Sequence, residues 1–391
     1  MKQVLRSKLN GHNKMQAINA YAIPVISYTG GIIDWTEEEK KELDRRTRKL
    51  LTMHKGLHPR ADVDRLYIPR KSAGRGLRKI KDTIENEERN LADYIWSNTQ
   101  EQLLKAVQQS GLWKKPEQTT AEWKKQTLEE TRNNWKHKPL HGQYIRQISE
   151  TTNNEAAFRW LSETGLKIET EALITAAQDQ ALPTKMTKAK IMKISHDTKC
   201  RLCKEKDETV SHLLSACPKL AGSQYIRRHN EVAKILHHGI CKQHNIQTAE
   251  RTWMHQPEAV TETEEVKILW DFEIRTDRII TARRPDIVVI DKATRTATII
   301  DVAVPNDHNI KAKEQEKVEK YQDLRLEIQR LWNVKAQVVP VVIGALGSTT
   351  SDLPKHLEKI PGRHRPAALV KAALLGSSHI LRKTLDLPES G

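Results

Sequence analysis

The tightest constraint in the sequence is a set of three cysteines and one histidine with the spacing Cys200-x2-Cys203-x8-His212-x4-Cys217. Two thiols on a short turn and a His/Cys pair about one helical turn apart match the spacing of a tetrahedral zinc site. Because the protein fills all four positions, we expect a structural metal on which this short segment depends for folding. Two buried cysteines beside a surface histidine are the competing interpretation.

Two further residues bear on this zinc prediction. His196 lies just before the first cysteine and could replace one ligand, whereas Cys241 is interpreted as a free thiol. Three of the four cysteines crowd together, which does not fit the disulfide framework of a small secreted domain. A zinc module of this kind more often holds nucleic acid than catalyses a reaction.

The charge of the chain favours a polyanionic partner. Its 391 residues contain 66 Lys and Arg against 50 Asp and Glu, a formal net charge of +16. Between Lys40 and Lys81, fifteen basic residues face four acids, a local net charge of +11. We expect this stretch to contact nucleic-acid phosphates, with an ordinary solvated helix surface as the alternative. The residues selected for that contact are Arg45, Arg46, Arg48, Lys49, Arg70, Lys71, Arg75 and Arg78.

Local patterns divide the chain into five segments. A basic helical region occupies 1–96, a helical linker 97–195, the zinc segment 196–220, a helical connector 221–259 and a compact final domain 260–391. Within the first segment we predict a helix over 35–56, an extended piece over 65–70 and a helix over 77–96. The sequence lacks a run of about 18 apolar residues and begins with a polar stretch, so we expect an intracellular chain that does not enter a membrane.

The final segment changes from helical to strand-like patterning. Residues 286–290 and 297–304 form a candidate hairpin, a helix follows over 310–332, and 338–343 makes a third strand. An amphipathic helix over 366–385 completes the segment. Together with the helical regions before it, this order predicts an α+β fold whose last domain is α/β.

Two carboxylates on the predicted hairpin are candidates for catalysis. Asp286 lies at the start of one strand, and Asp301 interrupts a run of β-branched apolar residues on the next, where an unpaired carboxylate would be costly. Two adjacent carboxylates repel each other, and a divalent cation relieves that repulsion. Oxygen ligands favour Mg²⁺ or Mn²⁺. The spacing alone is a weak signal, because two such acids occur readily by chance.

The helix predicted after the hairpin supplies a third group. Lys317, Tyr321, Leu324 and Ile328 share one stripe at about 100° per residue, the face expected to pack on the sheet. The ammonium of Lys317 could orient an attacking water or stabilise charge at a scissile phosphate, with Tyr321 supporting that geometry. A lysine that merely extends its charge to solvent from an apolar stripe is the alternative.

Three blocks of residues resemble the C-terminal part of proteins from non-LTR (LINE-type) retrotransposons that carry a restriction-like endonuclease. The first block comprises 18–35, 65–70 and 74–77, which is similar to the segment after a reverse-transcriptase palm. The second is the Cys-Cys-His-Cys set, a zinc knuckle in that family. The third runs from Arg284-Pro285-Asp286 through Asp301 and Lys317-x3-Tyr321 to 338–347. The resemblance covers most of the chain except about 97–195 and the tail.

The resemblance implies a PD-(D/E)XK-type nuclease core with Asp286 and Asp301 as ligands for Mg²⁺ or Mn²⁺. Its lysine would come from the following helix as Lys317, because Ala303 occupies the ordinary lysine position two residues after the second acid. In this family the endonuclease nicks target DNA, and the freed 3′-hydroxyl primes reverse transcription of the element's RNA. The implied partners are target DNA, element RNA and the polymerase region of a parent polyprotein, and the implied location is the nucleus.

The sequence departs from the family in two places. It contains no Asp-Asp pair, so the polymerase's metal-binding box is absent and we expect a fragment or truncated copy that cannot polymerise by itself. Ala73 stands where the family's Gly-Gly-Arg-Gly-Leu block has a glycine. A nucleic-acid-binding remnant with an inactive nuclease fold is the competing interpretation, and a structural protein that binds a partner through its terminal helix is a weaker third.

Overall fold

The computed structural model describes residues 1–97, 100–110, 115–152 and 154–387, with backbone alone at 103, 150 and 151. Helices dominate these residues, and a five-stranded sheet lies in the C-terminal part, which confirms the α+β class. The chain forms two compact units, one of Met1–Tyr144 with Gly165–Ala181 and one of Ile145–Thr164 with Leu182–Gly391. The division into five segments stays a prediction. Among the described helices, none combines the length and apolar character needed to cross a membrane.

The α-helices that precede the zinc segment are mostly short. In chain order they are α1 (Lys2–Arg6), α2 (Gly11–Ala17), α3 (Pro24–Gly30), α4 (Glu37–Met53), α5 (Val63–Tyr67), α6 (Ile80–Ser97), α7 (Glu101–Ser110), α8 (Thr120–His137), α9 (Gln143–Thr151), α10 (Asn154–Phe158), α11 (Trp160–Glu163) and α12 (Ile168–Gln178). The helices predicted over 35–56 and 77–96 are present as α4 and α6.

Helix α4 begins at Glu37, two residues after the predicted start, with Thr36 as its N-cap. The side chain of Thr36 accepts a hydrogen bond from the backbone N–H of Glu39, and the Glu39 carboxylate accepts one from the Thr36 N–H. This capping box satisfies two backbone donors that an open helix end would leave unpaired.

The extended piece predicted over 65–70 is partly wrong, because its first residues belong to α5. Asp62 caps this short helix by accepting a hydrogen bond from the Arg65 N–H. Asp62 was not recognised as an N-cap, although aspartate is among the residues preferred at that position. The chain becomes extended only at Ile68.

The turn after α5 explains the glycine expected at position 73. Ala73 has φ +73, in the left-handed region that favours glycine, and Gly76 has φ +74. Between them, a Cβ on Gly74 would lie 2.0 Å from the carbonyl oxygen of Ile68. The two glycines are therefore required by the backbone, and the alanine carries local strain.

The C-terminal unit combines the sheet with helices that follow the zinc segment. Its later helices are α13 (Val210–Ser215), α14 (Pro218–Leu220), α15 (Ile226–Gln243), α16 (Ile310–Lys320), α17 (Gln322–Trp332), α18 (Leu353–Glu358) and α19 (Pro366–Leu385). Its strands are β1 (Val260–Glu262), β2 (Val266–Trp270), β3 (Ile287–Asp291), β4 (Thr296–Ala303) and β5 (Lys335–Val342).

The strands lie in the order β1-β2-β3-β4-β5. Successive pairs are antiparallel except β4 and β5, which are parallel with Asp301 opposite Pro340. The three predicted strands correspond to β3, β4 and β5, whereas β1 and β2 were not predicted. None of the three residues of β1 is buried. This strand therefore lacks the alternation of buried and exposed residues by which a strand is recognised from sequence.

The parallel pair requires a crossover, which α16 and α17 provide by packing against β5. The single helix predicted over 310–332 is wrong in one respect, because Tyr321 leaves helical geometry and divides it in two. Tyr321, Leu324 and Ile328 pack with Ile299 of β4 in the core of this unit. Since alternate residues of a strand share a face, Asp301 points to the same side as Ile299.

Candidate metal centre, nuclease site and nucleic-acid surface

The structure brings the four predicted zinc ligands together. The ligand atoms of Cys200, Cys203, His212 and Cys217 all lie within 4.8 Å of one another, and all four residues are buried. Cys200 Sγ lies 3.9 Å from Cys217 Sγ, and Cys203 Sγ lies 3.4 Å from His212 Nε2. A tetrahedron with Zn–S bonds of about 2.3 Å has S–S edges of about 3.8 Å, so the donor set fits zinc. His196 is exposed and lies outside this group.

Local structure explains how these ligands converge. The Lys199–Asp207 bridge closes a tight turn, and Cys200 N–H donates to the Lys206 carbonyl at 2.8 Å. Thr209 then caps α13, its side chain accepting from the N–H of His212 at 3.0 Å. The turn fixes the first two thiols, and the capped helix fixes the imidazole.

Tyr225 supports the last part of this centre. Its hydroxyl accepts a hydrogen bond from the Cys217 N–H at 3.0 Å and lies 2.9 Å from the Leu213 carbonyl, to which it can donate. Burial raises the pKa of Cys217 to about 11. A bound zinc ion would stabilise the thiolate form of Cys217 at neutral pH.

The predicted nuclease residues meet at the open end of the β3–β4 hairpin, away from its turn. Lys317 Nζ on α16 lies 2.5 Å from Oδ2 of Asp301, and the Asp301 carboxylate is almost fully buried at 2% side-chain exposure. Burial raises the pKa of Asp301, and the charge of Asp286 acts in the same direction, whereas Lys317 opposes both. The ammonium of Lys317 thus stabilises the ionised form of a carboxylate that burial and Asp286 would otherwise keep protonated.

Asp286 is fixed to the neighbouring strand. Its Oδ2 accepts a hydrogen bond from the Val302 N–H at 2.6 Å and lies 3.0 Å from Nε2 of His229. Its Oδ1 has no hydrogen-bond partner among the described residues and remains available to another ligand. Asp286 immediately precedes β3 and Asp301 lies on the adjoining strand β4, and Asp286 keeps one free oxygen. This arrangement fits Mg²⁺, a cation that takes one or two carboxylates plus water and phosphate oxygens.

His229 is a site residue that sequence reasoning missed. It comes from α15, and 57 residues separate it from Asp286. Burial alone would lower the pKa of His229, but the hydrogen bond to Asp286 and its charge raise that pKa to about 9. The imidazole is therefore protonated at neutral pH and adds a positive charge beside the carboxylates. Nothing in the local sequence separates it from the other histidines of the same helix.

Tyr321 lies at the break between α16 and α17. Its hydroxyl donates to the Arg284 carbonyl at 3.2 Å and lies 2.9 Å from Lys320 Nζ. Burial raises the pKa of Tyr321, and Asp301 acts in the same direction, so the phenol stays protonated. The tyrosine thereby ties the crossover helices to the residue that precedes Pro285 and Asp286.

Most of the selected basic residues are at the surface of the N-terminal unit. Arg45 and Arg46 pair with Glu42 on the same helix at 2.9 Å, and Arg48 is half-buried with its guanidinium 2.9 Å from the Tyr67 hydroxyl. The exposed residues are Arg45, Arg46, Lys49, Lys71 and Arg78.

The assignment of Arg70 and Arg75 to phosphate contact is corrected by the structure. Both guanidinium groups are buried against Glu171 of α12, Arg70 through two hydrogen bonds of 2.9 and 2.8 Å and Arg75 through one of 2.9 Å. The two arginines lower the pKa of Glu171 despite its burial. Both guanidinium groups share this one carboxylate inside the unit and cannot reach a phosphate.

One comparison with known proteins bears on the zinc centre. A family model described as zinc-binding in reverse transcriptase matches residues 140–222, a range that contains all four ligands. No curated protein matches the chain. The matched range ends before β1, so it concerns the zinc centre and not the Asp301 site. We conclude that residues 140–222 are similar to the zinc-binding region of reverse transcriptases.

Proposed function

We propose that the C-terminal unit is a metal-dependent DNA endonuclease of a retrotransposon protein. It would nick target DNA so that the freed 3′-hydroxyl can prime reverse transcription of the element's RNA in the nucleus. The observation that carries this proposal is the 2.5 Å contact between Lys317 Nζ and the buried Oδ2 of Asp301, beside Asp286 at the start of the adjoining strand. A buried acid kept ionised by one lysine next to a second acid is costly for folding, and such arrangements concentrate at active sites.

Asp286 and Asp301 would hold the divalent cation. When bound, Mg²⁺ would stabilise the charge that develops on the scissile phosphate during hydrolysis. Asp286 offers its unpaired Oδ1, while its Oδ2 stays engaged with Val302 and His229. The Val302 contact prevents the Asp286 carboxylate from turning away from Asp301.

Lys317 and His229 would provide positive charge at the site in addition to that of the metal ion. Lys317 keeps Asp301 ionised, and its ammonium, only 14% exposed, can orient a water for attack on phosphorus. The protonated imidazole of His229 lies beside Asp286. Its positive charge would attract the phosphate of the substrate to that side of the site. Tyr321 is a positioning residue, because its hydroxyl ties the helix break to the Arg284 carbonyl.

Nucleic acid would be held elsewhere on the chain as well. Arg45, Arg46, Lys49, Lys71 and Arg78 are exposed on the N-terminal unit, and we propose that they contact phosphates of target DNA or element RNA. The polymerase region of a parent polyprotein would be the protein partner. Binding that depends on such contacts falls steeply as salt concentration rises.

Nicking of supercoiled plasmid by the purified full chain tests the proposal. We expect relaxation with Mg²⁺, none with EDTA, and loss of relaxation in Asp286→Ala and in Asp301→Ala. Asp277→Ala is a matched control, because that exposed acid of the same unit pairs with Arg330 at the surface. The control should cleave like the unmodified chain.

DNA affinity measured on the same variants separates chemistry from folding. Asp301→Ala should bind DNA nearly as well as the unmodified chain while failing to cleave it. Loss of binding together with cleavage would make Asp301 a structural residue. Binding by the unmodified chain without any metal-dependent cleavage would contradict the nuclease proposal.

A further inference from the structure

A second group of metal-binding side chains lies outside the zinc centre and the Asp301 site. His237 and Cys241 come from α15, and His255 follows the 3₁₀ turn Thr252–Met254. Their ligand atoms lie within 4.8 Å of one another, and all three residues are buried. We propose that His237, Cys241 and His255 form a second zinc site.

The distances are close to those that a tetrahedral cation needs. His237 Nδ1 lies 2.8 Å from His255 Nε2 and 3.5 Å from Cys241 Sγ. Zn–N bonds of about 2.0 Å and Zn–S bonds of about 2.3 Å give N–N edges of about 3.3 Å and N–S edges of about 3.5 Å. The imidazoles would separate by a few tenths of an ångström as the cation enters. The spacing of four between His237 and Cys241 places both on one helix face.

A hydrogen-bonded pair of imidazoles beside an inert thiol is the competing explanation, and His237 argues against it. Its Nε2 is buried and has no hydrogen-bond partner in the part of the chain that the structure describes. The Trp270 ring stands perpendicular to His237, at 87° and 5.5 Å between ring centroids. With a cation on Nδ1, the proton resides on Nε2, whereas a hydrogen bond donated from Nδ1 to His255 would leave Nε2 as a bare buried acceptor.

The neighbouring groups leave these three as the ligand set. His238 is engaged with the Ala249 carbonyl at 2.9 Å and the Thr252 hydroxyl at 3.2 Å, so it holds the loop rather than the cation. A water molecule would complete the coordination.

The position of this site suggests what it does for the fold. His255 lies five residues before β1, and His237 lies eight residues after His229 on the same helix. The cation would tie the C-terminal half of α15 to the chain entering the sheet. Tyr225 already links the other end of that helix to the first zinc centre. The inference does not depend on the nuclease proposal.

Zinc content decides the question on the full chain, purified without a histidine tag and freed of loosely bound metal. Elemental analysis should give two zinc ions per chain for the unmodified protein. Cys241→Ala and His255→Ala should each retain one. His238→Ala is the matched control, because it removes an equally buried neighbour outside the ligand set, and it should retain two.

Two results would overturn the second site. One is a single zinc ion in the unmodified chain, which decides the matter even where a variant fails to fold. The other is two ions retained in both ligand variants, with helical content by circular dichroism as in the unmodified chain. Cobalt substitution adds a separate readout, because the second site should contribute a thiolate-to-cobalt absorption band that Cys241→Ala removes.

Discussion

Nζ of Lys317 lies 2.5 Å from Oδ2 of Asp301, although a strand end, a 3₁₀ turn and the first half of a helix separate the two residues along the chain. Asp301 belongs to β4, and Lys317 belongs to the crossover that leads to the parallel strand β5. The contact therefore depends on the packing of α16 against the sheet rather than on local sequence.

Replacing Lys317 with methionine should reduce nicking about 100-fold or more. Loss of the ammonium raises the pKa of Asp301 further, so its carboxylate ionises only at higher pH. Residual activity should therefore increase with pH more steeply than the activity of the unmodified chain, measured as initial rates of plasmid nicking. Lys313→Met is the control, since Lys313 pairs with Glu316 at the surface of the same helix. Equal activity of Lys317→Met and the control would contradict the proposed role.

His229→Gln should destabilise the fold at low pH more than at high pH. The folded pKa of His229, about 9, lies above the ordinary value, so its contribution is fully present below about 6.5 and is lost as pH rises through 9. We expect a loss on the order of 2 to 3 kcal/mol at pH 6 and little by pH 10, measured by urea denaturation. His308→Gln, at an exposed histidine of the same unit, should show no such trend. A constant loss at every pH would exclude the ion pair with Asp286 as its cause.

Glu171→Gln should destabilise the N-terminal unit by about 3 to 5 kcal/mol, because it leaves two buried guanidinium groups without their anion. Glu42→Gln breaks only surface pairs and should cost less than about 1 kcal/mol. Thermal unfolding followed by circular dichroism compares the two. If Glu171→Gln unfolds like Glu42→Gln, the buried cluster does not stabilise the unit.

Tyr225→Phe should weaken zinc binding at the first centre by about 10-fold or more, since the Cys217 N–H loses its acceptor. Competition with a chromophoric chelator measures the affinity. Tyr94→Phe, at an exposed tyrosine, should leave it unchanged. Unaltered zinc affinity in Tyr225→Phe would show that the hydroxyl does not orient the ligands.

Removing Lys49, Lys71 and Arg78 together should flatten the salt dependence of DNA binding. Each phosphate contact contributes about 0.9 to the slope of log K against log salt, so the triple alanine variant should lose about 2 to 3. Replacing the exposed Lys292, Lys335 and Lys355 removes the same charge from the other unit. Equal slopes for both triple variants would show that net charge, not this surface, determines binding.

The sequence was most informative where ligands lie close together along the chain. The four zinc ligands span 18 positions, and a turn followed by one capped helix is enough to bring them together. Lys317 and Tyr321 were identified because helix periodicity places them on the face that packs against the sheet. Their catalytic roles, like those of Asp286 and Asp301, stay predictions.

The remaining features depend on contacts that local sequence does not encode. About 100 positions separate Arg70 and Arg75 from Glu171, so nothing near them distinguishes a buried guanidinium from one at the surface. His229 and Asp286 meet only when α15 packs beside β4. The break at Tyr321 is equally invisible, because the residues on both sides continue a helical pattern.

The parallel pairing of β4 and β5 has a consequence for how such sites are found and how they can change. Any connection between the two strands must pass over the face on which Asp301 lies, and a lysine at a suitable point of that connection reaches the same carboxylate. A lysine at another point of the crossover would therefore place its charge beside the same carboxylate. If the proposed nuclease assignment holds, Ala303 occupies the ordinary lysine position, and a search requiring fixed spacing between acid and lysine would overlook Lys317.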